Sequence, residues 1–320
     1  MGVLDLTALA RRITDRSVVL FLGSVDAGKT TLVKQLHERV GGEVVDADVG
    51  QAEIGPPAVI SVGTYGGGPR AGYFGGDISP RGNFLHVLTG CKKMAERATR
   101  PCLIDTDGYI HEGAARAYKS ELINLLEPDL LVLLQREKEL EYFKLYGAKG
   151  MEVVDVAAAH GGLKSRPERV RARERAFQQY FARAELRRWR LSDLRFERVL
   201  LGHGERLDCT FLSRVLACPV LVGWKSGREA VLVVRGTVNS VAEAMSALDV
   251  DYVETIDRGT LENLLVGCEV DGEFQGLGIL KAIDGETVDI LTPAARVSVL
   301  QFGSLKIRED GSHERIRFHS

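Results

Sequence analysis

Lys29 and Thr30 stand near the end of the run Gly23-Ser24-Val25-Asp26-Ala27-Gly28-Lys29-Thr30-Thr31, which has the order G-x-x-x-x-G-K-[ST]. Glycines at both ends of such a loop let backbone N–H groups turn inward around phosphate oxygens, where side chains would clash. A helix opening at the second glycine adds unpaired N–H groups and the positive end of its dipole. Lys29 is placed to reach β- and γ-phosphates, and the Thr30 hydroxyl to ligate Mg²⁺. The stretch Gly23 to Thr31 therefore predicts a cradle for ATP or another nucleoside triphosphate.

A triphosphate held with Mg²⁺ needs a further carboxylate, and two segments offer one. Glu43-Val44-Val45-Asp46-Ala47-Asp48-Val49-Gly50-Gln51 reads as a strand with acids and a Gln at its carboxyl end, and Cys102-Leu103-Ile104-Asp105-Thr106-Asp107-Gly108-Tyr109 as another. Asp46 and Asp48, two apart, would share one face if the strand runs that far. Asp105 follows Leu-Ile directly, as a metal-site aspartate does. Asp48 stands nineteen residues beyond Lys29, so it could orient metal waters or accept a proton from the phosphoryl acceptor.

Nine arginines fall between Arg166 and Arg190, with Arg169 and Arg173 at i and i+4 on one helix face. Such a run describes a solvated basic face. It equally describes a lid that brings guanidinium forks onto a transferring phosphoryl group. Arg187 and Arg188, further along, could follow a polynucleotide backbone. Residues 61–82 are so rich in glycine that no regular element is expected there. The tyrosines Tyr65 and Tyr73, with Phe74, favour an ordered loop on the substrate side.

The elements that must position these groups alternate. Apolar runs at 18–22, 43–49, 102–104, 129–134 and 151–156 read as strands. Helical patterns over 3–12, 29–40, 83–98 and about 112–126 lie between them, with another before Met151. This is an α/β domain with a doubly wound parallel sheet, expected over 1–195, with the arginine lid at about 164–190. From 196 to 320 the pattern turns to short strands with Asp271-Gly272 and Asp284-Gly285 as hairpin signals, predicting a smaller, mostly antiparallel β domain. His203, isolated between glycines, reads as structural. The 320 residues carry 45% hydrophobic and 27% charged side chains with a formal net charge of −2, so any polyanion site must be a local basic patch. Five cysteines without a C-x-x-C pair point to reduced thiols and a cytoplasmic protein. Nothing predicts a membrane segment.

With these residues in view, the chain resembles the polynucleotide 5′-hydroxyl kinases of the Clp/Grc type, associated with RNA 3′-end, tRNA and pre-rRNA processing. The resemblance rests on the phosphate loop with its internal Asp26, and on Asp46-Ala-Asp-Val-Gly-Gln51. It also rests on Tyr73-Phe-Gly75-Gly-Asp77-Ile-Ser79-Pro80, Thr106-Asp-Gly-Tyr109, Arg169 and Arg173 with Tyr180-Phe181, and Gly276-Leu-Gly278. It implies γ-phosphate transfer from ATP to the 5′-OH of RNA or DNA. It implies that Asp26, Lys29 and Thr30 attend phosphates and metal, with Asp48 as metal or acceptor-side acid. Thr106 would brace the phosphate loop as a "clasp", the lid arginines would steady the transition state, and Gln51, Gly75, Asp77, Ser79 and Arg187 would meet the acceptor. Tyr109 stands where the family usually has Trp, and Asp105 where Asn is more usual. Eukaryotic members carry an N-terminal β domain; sixteen residues precede Ser17 here, so a compact enzyme without an obligate protein partner is expected. A nucleotide-bound scaffold of an RNA-processing complex is the alternative. A GTPase is another, since Asp105-Thr-Asp-Gly108 fits D-x-x-G but no Asn-Lys-x-Asp accompanies it.

Overall fold

The apolar run after Ser17 forms strand β1 (Val18–Gly23), buried at every position, in a computed structural model that describes residues 6–158 and 165–316. Contacts divide the chain into two units, Met1–Phe177 and Gln178–Ser320.

In the first unit a short helix α1 (Leu6–Ala10) precedes β1. Then follow α2 (Lys29–Val40), β2 (Glu43–Ala47), β3 (Val59–Thr64), β4 (Gly68–Phe74), α3 (Phe84–Arg97) and β5 (Cys102–Thr106). The rest is α4 (Gly113–Leu126), β6 (Leu130–Gln135), a short helix α5 (Leu145–Ala148), β7 (Glu152–Ala157) and the beginning of α6 (Arg166–Phe181). The sheet order is β4-β3-β2-β5-β1-β6-β7. The five strands from β2 to β7 along this order run parallel, while β3 and β4 join antiparallel at the edge. Alternation along β1 explains the two covered faces. Leu20 and Leu22 pack with Val87, Met94 and Leu122 of α3 and α4, whereas Val19 and Phe21 pack with Leu32, Val33 and Leu36 of α2.

Two expectations change here. The glycine-rich segment 61–82 is not irregular throughout, because β3 and β4 make a hairpin within it. Its glycines serve the turn, where Gly66 and Gly68 take φ of +86° and +77°, and the close pairing of Gly63 with the Gly68 and Pro69 backbone. The strand expected over 43–51 stops at Ala47, so Asp46 and Asp48 do not share a strand face. The start of the first helix at residue 3 and of the lid at 164 lie outside the described residues.

The second unit holds β8 (Glu185–Arg190), β9 (Arg195–Glu197), β10 (Glu205–Arg206), α7 (Cys209–Val215), β11 (Val220–Ser226), β12 (Glu229–Val234) and α8 (Ala242–Leu248). After these come β13 (Tyr252–Asp257), α9 (Arg258–Leu261), β14 (Leu264–Val270), β15 (Glu273–Ile283), β16 (Thr287–Thr292), β17 (Val299–Ile307) and β18 (His313–Arg315). One sheet runs β18-β17-β14-β15-β16-β8 and a smaller one β10-β11-β12-β13. Most pairs are antiparallel; β12 with β13 and β9 with β17 are parallel. Asp271 (φ +52°) and Gly272 (φ +80°) form the expected tight hairpin between β14 and β15. At the next turn Asp284 Oδ1 instead accepts the N–H groups of Glu286 and Thr287. The division at 177/178 falls within α6, which ends at Phe181, and Arg187, Arg188 and Arg190, expected on the lid, sit on β8, which pairs with β16. His203 holds the Phe196 carbonyl at 2.9 Å.

Candidate active site

The phosphate loop takes shape where β1 stops. Gly28 (φ +92°) is the N-cap of α2, and Asp26 is held at φ +56°. The Lys29 ammonium is buried and donates to the carbonyls of Gly23 (2.9 Å) and Ser24 (3.0 Å). Burial lowers its pKa, and the nearby Asp105 and Asp48 carboxylates oppose that shift. Beside the loop lies a cavity of about 480 Å³ at the carboxyl ends of the central strands. Val25 to Thr31, Asp48, Gln51, Ser79, Arg169 and Arg173 all line it, while Gly23 and Ser24 form the base of the loop.

Asp48 is partly buried on the segment just past β2. Its Oδ1 accepts the N–H groups of Gly50 and Gln51, each at 3.0 Å. Burial first, then Asp107, pushes its carboxyl pKa up, with Lys29 pulling it back. Asp46 lies behind it. Its Oδ2 accepts from Glu53 (2.6 Å) and Ile54 (3.0 Å), which folds the 48–54 segment across the strand ends. Burial and Asp105 raise Asp46 to about 7.

The two lid arginines meet this same cavity. Arg169 Nη1 pairs with Asp26 Oδ2 at 3.1 Å, and Arg173 Nη1 donates to the Gly50 carbonyl at 3.2 Å. Partial burial lowers the Arg173 pKa, against the pull of Asp48. Gln51 Nε2 reaches the Arg169 carbonyl at 3.4 Å. In the first two turns of this helix Arg169 and Arg173 are partly buried, while Arg166, Glu168 and Arg171 are exposed.

On the metal side, Thr30, Asp48 and Asp26 all line the cavity. One oxygen of Asp26, Oδ2, pairs with Arg169, and Asp105 stands against the Thr30 hydroxyl. Asp105 Oδ1 is buried without a hydrogen-bond partner. Burial raises this carboxyl to about 6, with Lys29 and Thr30 opposing. An orphaned carboxylate oxygen beside a phosphate-loop threonine fits a Mg²⁺ ion bound through one or two protein oxygens, phosphates and water. Among the described residues there is no cluster of three His, Cys, Asp or Glu side chains that could hold a metal.

Of the other expected residues, Ser79, Asp107, Gly108 and Tyr109 line the cavity, whereas Thr106, Gly75 and Asp77 do not. The Thr106 hydroxyl is fully buried and donates to the Phe21 carbonyl at 2.7 Å. Thr106 thus braces β1 below the loop. Gly108 approaches the loop closely: a Cβ there would lie 2.6 Å from the Val25 nitrogen. Asp107 is consumed by Lys119 Nζ (2.9 Å), Tyr118 OH (2.8 Å) and the Tyr109 N–H (2.9 Å). Ser79 borders the cavity, but Gly75 and Asp77 shape the loop from behind, through Gly75 N to the Ala58 carbonyl and Ser79 N to Asp77 Oδ1 at 3.1 Å. Arg187 lies on β8 of the second unit, paired with Glu185 at 2.7 Å. Sequence reasoning missed Lys119, which no motif marks, and the Lys34–Glu53 pair at 3.0 Å on the cavity wall. It also missed Arg136, whose position directly after the buried strand β6 was the available signal.

Comparison with known proteins places this geometry. A family model described as the P-loop of mRNA cleavage and polyadenylation factor CLP1 matches residues 23–183. A polyribonucleotide 5′-hydroxyl-kinase of Pyrococcus horikoshii is 32% identical, covering 92% of this chain and 87% of that protein. One of Methanocaldococcus jannaschii is 28% identical over 92% and 88%. The structure of the wild-type Clp1p–Pcf11p complex aligns at a TM-score of 0.56 and 11% identity, over 94% of this chain and 78% of that one, a likeness of fold. Phosphate loop, clasp and lid helix all fall within the matched span, and the chain belongs to the CLP1 P-loop family of polynucleotide kinases.

Proposed function

We propose that this protein transfers the γ-phosphate of ATP, or another nucleoside triphosphate, to the 5′-hydroxyl of a polynucleotide. The observation that carries the reading is the meeting of Lys29, Asp48, Arg169 and Arg173 on one cavity. A nucleotide-binding scaffold needs the first of these and has no use for the other three. Relatives named polyribonucleotide 5′-hydroxyl-kinases match along nearly the whole chain, which supports RNA as an acceptor.

The backbone of Val25 to Thr30 receives the phosphates at the start of α2. Lys29, now bonded to two loop carbonyls, would turn to the β- and γ-phosphate oxygens. Bound Mg²⁺ would be held by Thr30 and Asp105 and would neutralise phosphate charge. Asp48, poised by burial, takes the proton of the 5′-hydroxyl as the new O–P bond forms and the bond from the γ-phosphorus to the bridging oxygen breaks. The nucleoside diphosphate leaves with that oxygen. Arg169 and Arg173 spread the charge of the in-flight phosphoryl group. Among the described residues no helix is long and apolar enough to cross a membrane. Mass spectrometry of a 5′-OH RNA oligonucleotide incubated with ATP tests the proposal. It predicts one added phosphate at the 5′ end, and unmodified RNA alone would refute it.

A further inference from the structure

The end of β6 lies against the base of the phosphate loop. A Cβ on Gly23 would come within 2.9 Å of the Leu134 carbonyl, so the residues after Leu134 are carried to the loop's outer side. Arg136 extends from this point. Its Nη1 donates to Ser24 Oγ at 3.0 Å and its Nη2 to the Asp26 carbonyl at 2.6 Å. The planar fork thus spans two points of the loop from two separate nitrogens, a geometry that the shorter Lys side chain with its single nitrogen does not match. Arg136 is itself held in place: both oxygens of Glu139 accept its backbone N–H at 3.1 Å.

The residue it grips is the strained one. Asp26 holds φ at +56° without being glycine, a conformation that persists only where surroundings enforce it. The Asp26 side chain is also the partner of the lid's Arg169. Arg136 is not among the residues lining the cavity, so it reaches the loop from behind and leaves the phosphate side to backbone N–H groups and Lys29.

We propose that Arg136 is a positioning residue for nucleotide binding, holding Ser24 to Asp26 in the anion-binding shape and presenting Asp26 to the lid. The inference rests on the kinase reading only for the nature of the nucleotide. Its test reads binding, so it stands or falls separately from phosphoryl transfer.

Calorimetric titration with the Mg²⁺ complex of a non-hydrolysable ATP analogue compares wild type with Arg136→Ala, Arg136→Lys, Ser24→Ala and the Ser24→Ala/Arg136→Ala double variant. A lost hydrogen bond to a charged group implies weakening on the order of 10- to 100-fold for Arg136→Ala. Arg136→Lys should recover only part of this. The cost of Ser24→Ala should shrink when Arg136→Ala is already present, because the contact it removes is then gone. Millimolar guanidinium should restore affinity to Arg136→Ala and not to wild type. Thermal melts identify folded variants, and Arg136→Lys keeps the test open if Arg136→Ala does not fold. Affinity within about twofold of wild type in folded Arg136 variants, or a Ser24→Ala cost equal in both backgrounds, would overturn the proposal. A wild-type protein that binds nucleotide but phosphorylates no oligonucleotide would instead overturn the kinase reading.

Discussion

Asp48→Asn separates the acceptor-side role of this carboxylate from a metal-side one. The amide keeps an oxygen where Asp48 Oδ1 accepts from Gly50 and Gln51, each bond worth about 1 kcal/mol net, so the segment after β2 should stay in place. Burial raises the carboxyl pKa, which means that the charged form costs free energy in this site. A neutral amide removes that cost, so thermal stability at neutral pH should be unchanged or slightly higher. The charge removed lies near Lys29 and the phosphate loop, so nucleotide affinity should hold or tighten. What is lost is the proton acceptor, and general-base catalysis contributes on the order of 10²–10⁴-fold, about 3–5 kcal/mol of barrier. The assay is steady-state transfer from labelled ATP to a 5′-OH RNA oligonucleotide, with nucleotide binding measured separately. Asp105→Asn, run in parallel, should raise the Mg²⁺ requirement and recover activity as Mg²⁺ is increased. A kcat for Asp48→Asn within about tenfold of wild type would refute the assignment. If Asp105→Asn is crippled at saturating Mg²⁺ while Asp48→Asn is mild, the two carboxylates have exchanged roles.

Arg169→Ala and Arg173→Ala should each lower kcat by on the order of 10³-fold with little change in stability, as steady-state kinetics and thermal melts would show. A solvated face would leave kcat unchanged and stability within about 0.5 kcal/mol. Gly108→Ala puts a methyl 2.6 Å from the Val25 nitrogen; overpacking of about 1–3 kcal/mol should displace the loop and weaken ATP binding roughly tenfold, read by calorimetry. Glu43→Gln tests the fold alone. The Arg70 guanidinium, at 2.6 and 2.7 Å, holds the Glu43 carboxyl down to about 2 from 4.5. That interaction is fully present above pH 4.5 and lost as pH falls toward 2. With Arg70 half-exposed it contributes about 1–3 kcal/mol, so urea unfolding should show this loss at pH 7 and convergence with wild type in acid.

The phosphate loop was legible because glycine spacing, strand and helix stand in consecutive sequence. The arginines were legible in part: i and i+4 spacing put Arg169 and Arg173 on one face, but only tertiary packing decided that this face meets the cavity. The choice between Asp48 and Asp105 was not legible. It turns on where β2 ends and on which carboxylate stands beside Thr30, and those are questions of sheet order, since β5 inserts between β1 and β2. The hairpin of β3 and β4 was hidden by glycines that signal irregularity in general and here build a turn and a close strand crossing. Thr106, whose partner is 85 residues away, was read only through the family resemblance; Lys119 and Arg136 act through partners 12 and 110 to 112 residues away, and chain position alone names neither partner.

The most direct test of the central claim is label transfer from γ-labelled ATP to matched 5′-OH and 5′-phosphate oligonucleotides by wild type and by folded Lys29→Ala. The account predicts label on the 5′ end of the 5′-OH strand with wild type, none on the 5′-phosphate strand, and none with Lys29→Ala. Release of free phosphate without labelled oligonucleotide, or equal labelling by Lys29→Ala, would contradict it.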